Sequence, residues 1–344
     1  MYIIGTVGPS VKDRNSFKGI IDNGVNTLRF NFAHGSEPEF LEFLDMARTI
    51  DNSLNIVVDL SGSKVRVSDK FEYIYKIYDE ENVYFCGEDK YTKEVQSLPK
   101  NKVKIIPLNI KHKMLKENIY KEISIKDNTM IFKVVENNSD FIKTKAVKGG
   151  IIRKGKGCNI KELDRSILSL SYNDKKAIQW GIKNKVNIIC QSFIEDKEDI
   201  EKLKNFLNEN RKYDDLPKVW AKIETLNGVK NIERILDCVD GIVIGRGDLI
   251  PETSIEDTPI YEDKIIKAVT KSSNKDIIVA THLLNSMKLG KVPSLCEVES
   301  IYNLIKEGVT GFLLAGETSI GKAPIKTVKF LNELVHKYMS NYNI

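Results

Sequence analysis

Lys222 and Glu224 stand two apart in Ala221-Lys222-Ile223-Glu224 and point the same way if the run is a strand, because strand residues alternate faces. Arg29 and Asn31 form a second such pair. Asp59, Ser192, Asp248, Thr281 and Glu317 each close or follow a further short apolar run. A set of cations and carboxylates at strand ends suits phosphoryl transfer, where the protein mainly positions groups and neutralises negative charge. Hard carboxylates with few protein ligands suit Mg²⁺ shared with a phosphorylated substrate. Convergence carries this reading, since buried charges need partners. Alone, Lys-Ile-Glu is more often a surface alternation than a site, and Gly245-Arg246-Gly247-Asp248 is as readily a glycine-rich turn. His34 and His282 lack a second His or Cys at ligand spacing, which argues against zinc. Cys190, inside Ile188-Ile189-Cys190, reads as packing rather than nucleophile, and Trp180 and Trp220 read as core.

The elements that must position these groups follow from periodicity. Short β-branched runs alternate with segments of helical period, the pattern of a parallel sheet with crossover helices. Eight strands are expected at 2–7, 27–31, 55–59, 187–192, 219–223, 241–245, 277–281 and 311–315. Helices are expected at 12–23, 37–50, 174–183, 197–208 and 297–307, with Asp174 and residues 192–195 as start signals and Gly24 and Gly308 as stops. Eight strands with crossovers is the count of an α/β (β/α)8 TIM barrel, whose active sites gather at the C-terminal strand ends. The connection after the third strand is far too long for a crossover. Its strand-like pieces (72–78, 82–86, 103–107, 130–135 and 141–146) predict an inserted small β-rich domain at 67–152, a lid in use, with the barrel at 1–66 and 153–344.

Composition narrows the class. The 344 residues are 41% hydrophobic and 29% charged, the balance of a globular protein. No run approaches the roughly 18 apolar residues of a membrane span. The opening Met1-Tyr2-Ile3-Ile4-Gly5 has no signal-peptide character, and the five cysteines are scattered. A cytoplasmic protein is expected, with no membrane or nucleic-acid partner. A net charge of +5 is too weak to imply nucleic acid. The basic run from Lys143 to Lys156 is open between a solvated face and a phosphate-facing surface.

The ordered motifs resemble the pyruvate kinase family across nearly the whole chain. Thr6-Val7-Gly8-Pro9-Ser10, Leu28-Arg29-Phe30-Asn31-Phe32-Ala33-His34-Gly35, Gln191-Ser192-Phe193-Ile194 and Ala221-Lys222-Ile223-Glu224 follow in that family's order. Asp240 to Leu249, Ala280 to Met287 and Ala315-Gly316-Glu317-Thr318 complete the series. The resemblance implies transfer of a phosphoryl group from phosphoenolpyruvate to ADP, giving pyruvate and ATP. It implies Glu224 and Asp248 as ligands of Mg²⁺ or Mn²⁺, Lys222 neutralising the phosphoryl group in flight, and Arg29 holding the phosphate. It assigns the substrate carboxylate to the Gly247 and Asp248 amides with Thr281, and proton delivery to Thr281 with Ser192. Asn31, His34, Arg66 and Lys156 would face the nucleotide.

The departures shape further expectations. Two K⁺ ligands of the family are replaced, by Ala33 and Leu60, and Lys64 stands where K⁺-dependent members carry Glu. Leu60 with Lys64 resembles the K⁺-independent branch, with the Lys64 ammonium beside Asp59 replacing the monovalent cation. The chain ends soon after the eighth barrel helix, so the family's C-terminal α/β domain is expected to be absent. The family's Pro-Thr-Arg-Ala-Glu stretch reads Pro293-Ser294-Leu295-Cys296-Glu297, leaving monomer and barrel-to-barrel homodimer both open. Two other readings stand beside the kinase: a paralogue with another acceptor, and a non-catalytic phosphoenolpyruvate-binding regulator.

Overall fold

The computed structural model describes residues 1–96, 103–116, 120–126, 128–137, 140–161, 163–165, 168, 170–211, 216–272 and 274–342. The chain divides into two compact units. One comprises Met1–Gly62, Ser169–Gly247 and Thr258–Ile344, and the other Ser63–Leu168 with Asp248–Asp257.

In the first unit, eight parallel strands among the described residues close a barrel: β1 (Tyr2–Thr6), β2 (Thr27–Asn31), β3 (Asn55–Leu60), β4 (Ile188–Gln191), β5 (Lys218–Ile223), β6 (Gly241–Gly245), β7 (Asp276–Ala280) and β8 (Gly311–Leu314). Each strand pairs with its sequence neighbour, and β8 closes on β1 with Tyr2 opposite Gly311. This is the expected (β/α)8 fold, with strand ends shifted by a residue or two. The seventh strand ends at Ala280 because Thr281 has φ +69°, outside extended geometry.

Local chemistry sets the helix starts. Asp13 caps Arg14–Asp22, and Ser171 forms a capping box with Asp174 at the head of Tyr172–Lys183. Asp196, not residues 192–195, caps Lys197–Glu209 in a box with Asp199. Ser294 boxes with Glu297 to start Leu295–Lys306 earlier than expected. Gly24 and Gly308 have φ of +124° and +93°, so both follow helix ends in conformations only glycine adopts without strain.

Alternation along the strands stratifies the barrel interior. Ile4, Val57, Ile188, Cys190, Trp220, Val243, Ile278, Ala280 and Leu313 pack there as one apolar cluster. Trp220 is fully buried, donates its Nε1–H to Asp276 at 3.2 Å and meets Tyr2 edge-on. Two residues further along the same strands, the same direction is taken by Thr6, Asp59, Ser192 and Lys222. The sequence therefore builds an apolar plug with a polar layer above it. Cys190 belongs to the plug, and burial pushes its thiol up, which suits packing. Trp180 packs against Phe30 and Phe32, again as core.

The second unit has its own sheet of seven strands among the described residues. Their order is Val65–Arg66, Gly157–Asn159, Glu122–Ile125, Met130–Asn137, Ile142–Lys148, Asn82–Gly87, Ile105–Leu108. Gly150–Ile152 and Tyr75–Ile77 form a separate pair. Phe71, Phe85, Ile123, Phe132 and Ile142 lie in its core, all fully buried. The expected strand 72–78 shortens to Tyr75–Ile77. Val65–Arg66, Glu122–Ile125, Gly150–Ile152 and Gly157–Asn159 are too short to carry a periodicity signal. Because Val65–Arg66 pairs with Gly157–Asn159, residues flanking the expected 67–152 insertion join this sheet. Residues 97–102 lie outside the described residues, and the third expected strand of this region, 103–107, stands at Ile105–Leu108. Among the described residues, no helix is long and apolar enough to cross a membrane.

Candidate active site

The polar layer of the barrel centres on Asp59, 1% exposed at the end of β3. Lys222 from β5 places Nζ 2.9 and 2.7 Å from its two carboxylate oxygens. Arg29 from β2 donates its Nε–H to the same carboxylate at 2.6 Å and an NH1 hydrogen to the Thr6 hydroxyl at 3.1 Å. Ser192, just past β4, donates to Asp59 at 3.2 Å and accepts from Lys222 at 2.8 Å. Four strands thus supply one buried network joining Arg29, Asp59, Ser192 and Lys222.

Its electrostatics are internally consistent. Burial alone would push Asp59 up, but Lys222 and then Arg29 more than offset that and hold its carboxyl below the usual aspartate range. Burial alone would pull Lys222 down, but Asp59 and Glu224 outweigh it and hold the ammonium above the ordinary lysine value. A charged lysine is therefore kept in a site where it is only 7% exposed. The network carries two cations on one carboxylate, with Glu224 adding negative charge toward Lys222, and it can receive an anionic group.

Glu224 follows β5 and is 4% exposed. Its Oε2 accepts the Phe193 N–H at 3.0 Å, an amide turned inward because Phe193 has φ +56°. Gly245 packs against this side chain, and a Cβ at 245 would lie 2.6 Å from Glu224 Cγ and Oε1, so only glycine lets Glu224 lie there. At the end of β7 the Thr281 hydroxyl accepts the Gly247 N–H at 2.8 Å and donates to the Ala280 carbonyl at 2.6 Å. Arg246 reaches the carbonyls of Thr281 and His282, three bonds that sequence reasoning did not foresee.

In the second unit, Lys64 Nζ lies 2.6 and 2.7 Å from the two oxygens of Asp248. Asn159 donates to Asp248 at 3.4 Å and to Glu252 at 3.0 Å, and Arg165 donates to Glu252 at 2.8 Å. The Arg165 and Glu252 side chains are 2% and 1% exposed. This chain ties Asp248–Asp257 to the sheet unit, and the sequence offered no signal for Arg165. Replacing Arg165 with methionine leaves a buried carboxylate without its cation, so a local loss of about 3–5 kcal/mol is expected. Hydrogen exchange should show it as faster exchange in Gly157–Asn159 and Glu122–Ile125; unchanged protection there would refute the expectation.

The remaining expected site residues are half-buried or exposed. Asn31 ends β2 with its side-chain oxygen on the Ala33 N–H at 3.2 Å, and His34 is exposed. Arg66 donates to the Gly155 carbonyl at 3.2 Å, and the Lys156 carbonyl accepts the Val67 N–H at 2.8 Å. Leu60 is 1% exposed, and its side chain offers no oxygen to a cation. A cavity of about 570 Å³ lies elsewhere, lined by Tyr2, Asn26, Leu54, Asp276, Val309 and Met339 at the N-terminal strand ends. The groups of the polar layer do not line it, and TIM-barrel chemistry sits at the other end.

Residues 1–328 match the family model described as pyruvate kinase, barrel domain. The chain is 32% identical to the pyruvate kinase of Thermotoga maritima over 338 residues, covering 96% of this chain and 69% of that protein. It is 32% identical to the pyruvate kinase of Thermococcus litoralis, covering 96% and 68%. Pyruvate kinase 1 of Saccharomyces cerevisiae is 31% identical, with 96% and 66% covered. A closed barrel with a charged layer at its C-terminal strand ends agrees with these matches, and the chain belongs to the pyruvate kinase family as a pyruvate kinase-like phosphotransferase.

Proposed function

We propose that this chain transfers the phosphoryl group of phosphoenolpyruvate to ADP, with Mg²⁺ required and K⁺ not. The observation that carries the proposal is the buried Arg29–Asp59–Lys222–Ser192 network, which sets two cationic side chains on one carboxylate at the strand ends. In this reading Arg29 holds the substrate phosphate. Lys222 offsets its charge as the bond from phosphorus to the enol oxygen breaks and the bond to the ADP oxygen forms. The enolate left behind takes a proton on its terminal carbon, supplied through Thr281 and Ser192, to give pyruvate.

The substrate carboxylate is assigned to the amides of Gly247 and Asp248. The Gly247 N–H is given to the neutral Thr281 hydroxyl, and a carboxylate is the stronger acceptor that would take it over. Asn31, His34, Arg66 and Lys156 are assigned to the nucleotide. Glu224 and Asp248 are assigned to the divalent cation. Two hard carboxylates fit Mg²⁺, which keeps most of its coordination for water and substrate oxygens; both Asp248 oxygens lie on the Lys64 ammonium, which the ion would have to displace, and Gly245 admits the Glu224 side chain where a Cβ would lie 2.6 Å from it. When bound, the cation would be held by Glu224 and Asp248 and would supply positive charge that offsets the negative charge of the substrate.

K⁺ independence rests on the apolar Leu60, on Ala33 and on the lysine at 64. Pyruvate release from phosphoenolpyruvate and ADP tests both parts. With Mg²⁺ present, exchanging K⁺ for tetramethylammonium is expected to change kcat by less than about twofold, since a tethered ammonium supplies the charge. A collapse without K⁺ would remove the K⁺ claim. Phosphoenolpyruvate binding without turnover of ADP would instead point to another acceptor.

A further inference from the structure

Thr281 and His282 stand consecutively in left-handed conformation, with φ of +69° and +52°. Neither is glycine, and threonine is β-branched, so this corner is strained and persists only if its surroundings hold it. Arg246 is the group placed to do so. Its Nε–H and one NH2 hydrogen reach the Thr281 carbonyl at 3.0 and 2.8 Å, and NH2 also reaches the His282 carbonyl at 2.9 Å. Its NH1 lies 3.4 Å from the Ser300 hydroxyl, and Glu262 lies 3.7 Å from Nε. The side chain is 11% exposed. The backbone of the next residue, Gly247, donates to the Thr281 hydroxyl. Substrate would take over the Gly247 N–H, so it is Arg246 that fixes the backbone of Thr281 and, through it, the direction of its side chain.

We infer that Arg246 is a positioning residue: its planar fork locks the Thr281–His282 corner and so aims the Thr281 hydroxyl at the reacting carbon. The inference rests on the proposed role of Thr281 in proton delivery. A charge near Glu262 alone would be supplied equally by lysine. Two carbonyls gripped from one plane would not, because an ammonium on a flexible stem lacks the fork.

The test uses exchange of the pyruvate methyl protons with D2O, followed by NMR with Mg²⁺ and ATP, beside kcat, KM and Tm. Arg246→Lys is expected to slow exchange by about a hundredfold, the scale of a misaimed catalytic group, with KM for phosphoenolpyruvate within about threefold. Adding His282→Gly to Arg246→Lys is expected to restore at least about tenfold, because glycine takes the left-handed conformation without the clamp. Exchange in Arg246→Lys within about twofold of the parent, while Thr281→Ala abolishes it, would overturn the clamp and leave Thr281 in place. Loss in Arg246→Lys that tracks a fall in Tm and gains nothing from His282→Gly would also overturn it. Exchange unchanged in Thr281→Ala would instead remove the proposed role of Thr281.

Discussion

Lys222→Met is expected to lower kcat for phosphoryl transfer by at least about a thousandfold, with KM for phosphoenolpyruvate changed far less. The physical case is that Lys222 is buried, 2.7 Å from Asp59, and held charged by Asp59 and Glu224 against a burial that favours the neutral amine. Charge developing on a group in flight meets this ammonium where little of the side chain is open to solvent, so the attraction is stronger than in bulk water. Methionine keeps the volume and removes the charge, while Arg29 still neutralises Asp59, so the barrel retains a counter-ion for its buried carboxylate. The raised lysine value means that its charge persists through neutral pH and is lost only in strong alkali, so the loss in the variant should be the same from pH 6 to pH 9. Steady-state kinetics with a thermal melt decide it. A folded variant within tenfold of the parent would take Lys222 out of the chemistry.

Asp59→Asn should be the most damaging single change to the barrel unit. It leaves Arg29 and Lys222 facing each other in a buried layer where Asp59 was the shared partner. Removing one member of a buried ion pair costs about 3–5 kcal/mol, a Tm fall on the order of 10 °C. The pH dependence gives an independent check. The folded-state value of Asp59 lies below the ordinary aspartate value of 3.8, so its contribution is complete above that value and lost as pH falls through the folded one. The gap between parent and Asp59→Asn should therefore be constant from pH 5 to pH 8 and narrow in stronger acid. Denaturant unfolding followed by tryptophan emission isolates this unit, since Trp180 and Trp220 both belong to it. A gap that widened with acid would contradict the assigned sign.

What the sequence determined by itself follows from local rules. β-branched runs of four to six residues spaced by helical stretches can satisfy their backbone only as a parallel sheet with crossovers, and eight of them close. The strict alternation in Trp220-Ala221-Lys222-Ile223-Glu224 already placed Lys222 and Glu224 on the face that carries Trp220. Gly24 and Gly308 marked helix ends because no other residue takes their φ cheaply. Arg29, Ser192 and Lys222 were named from motifs, yet only the closed barrel made Asp59 the carboxylate they share, because the pairing joins residues 30, 133 and 163 positions apart. The same holds for Lys64 on Asp248, each named from a motif but paired only in the fold, and for Arg165 on Glu252, which come from segments with no local signature. Thr281 reads in sequence as the last residue of a strand. That it turns left-handed under the fork of Arg246 was decided by tertiary structure, since a strained backbone survives only where distant side chains hold it.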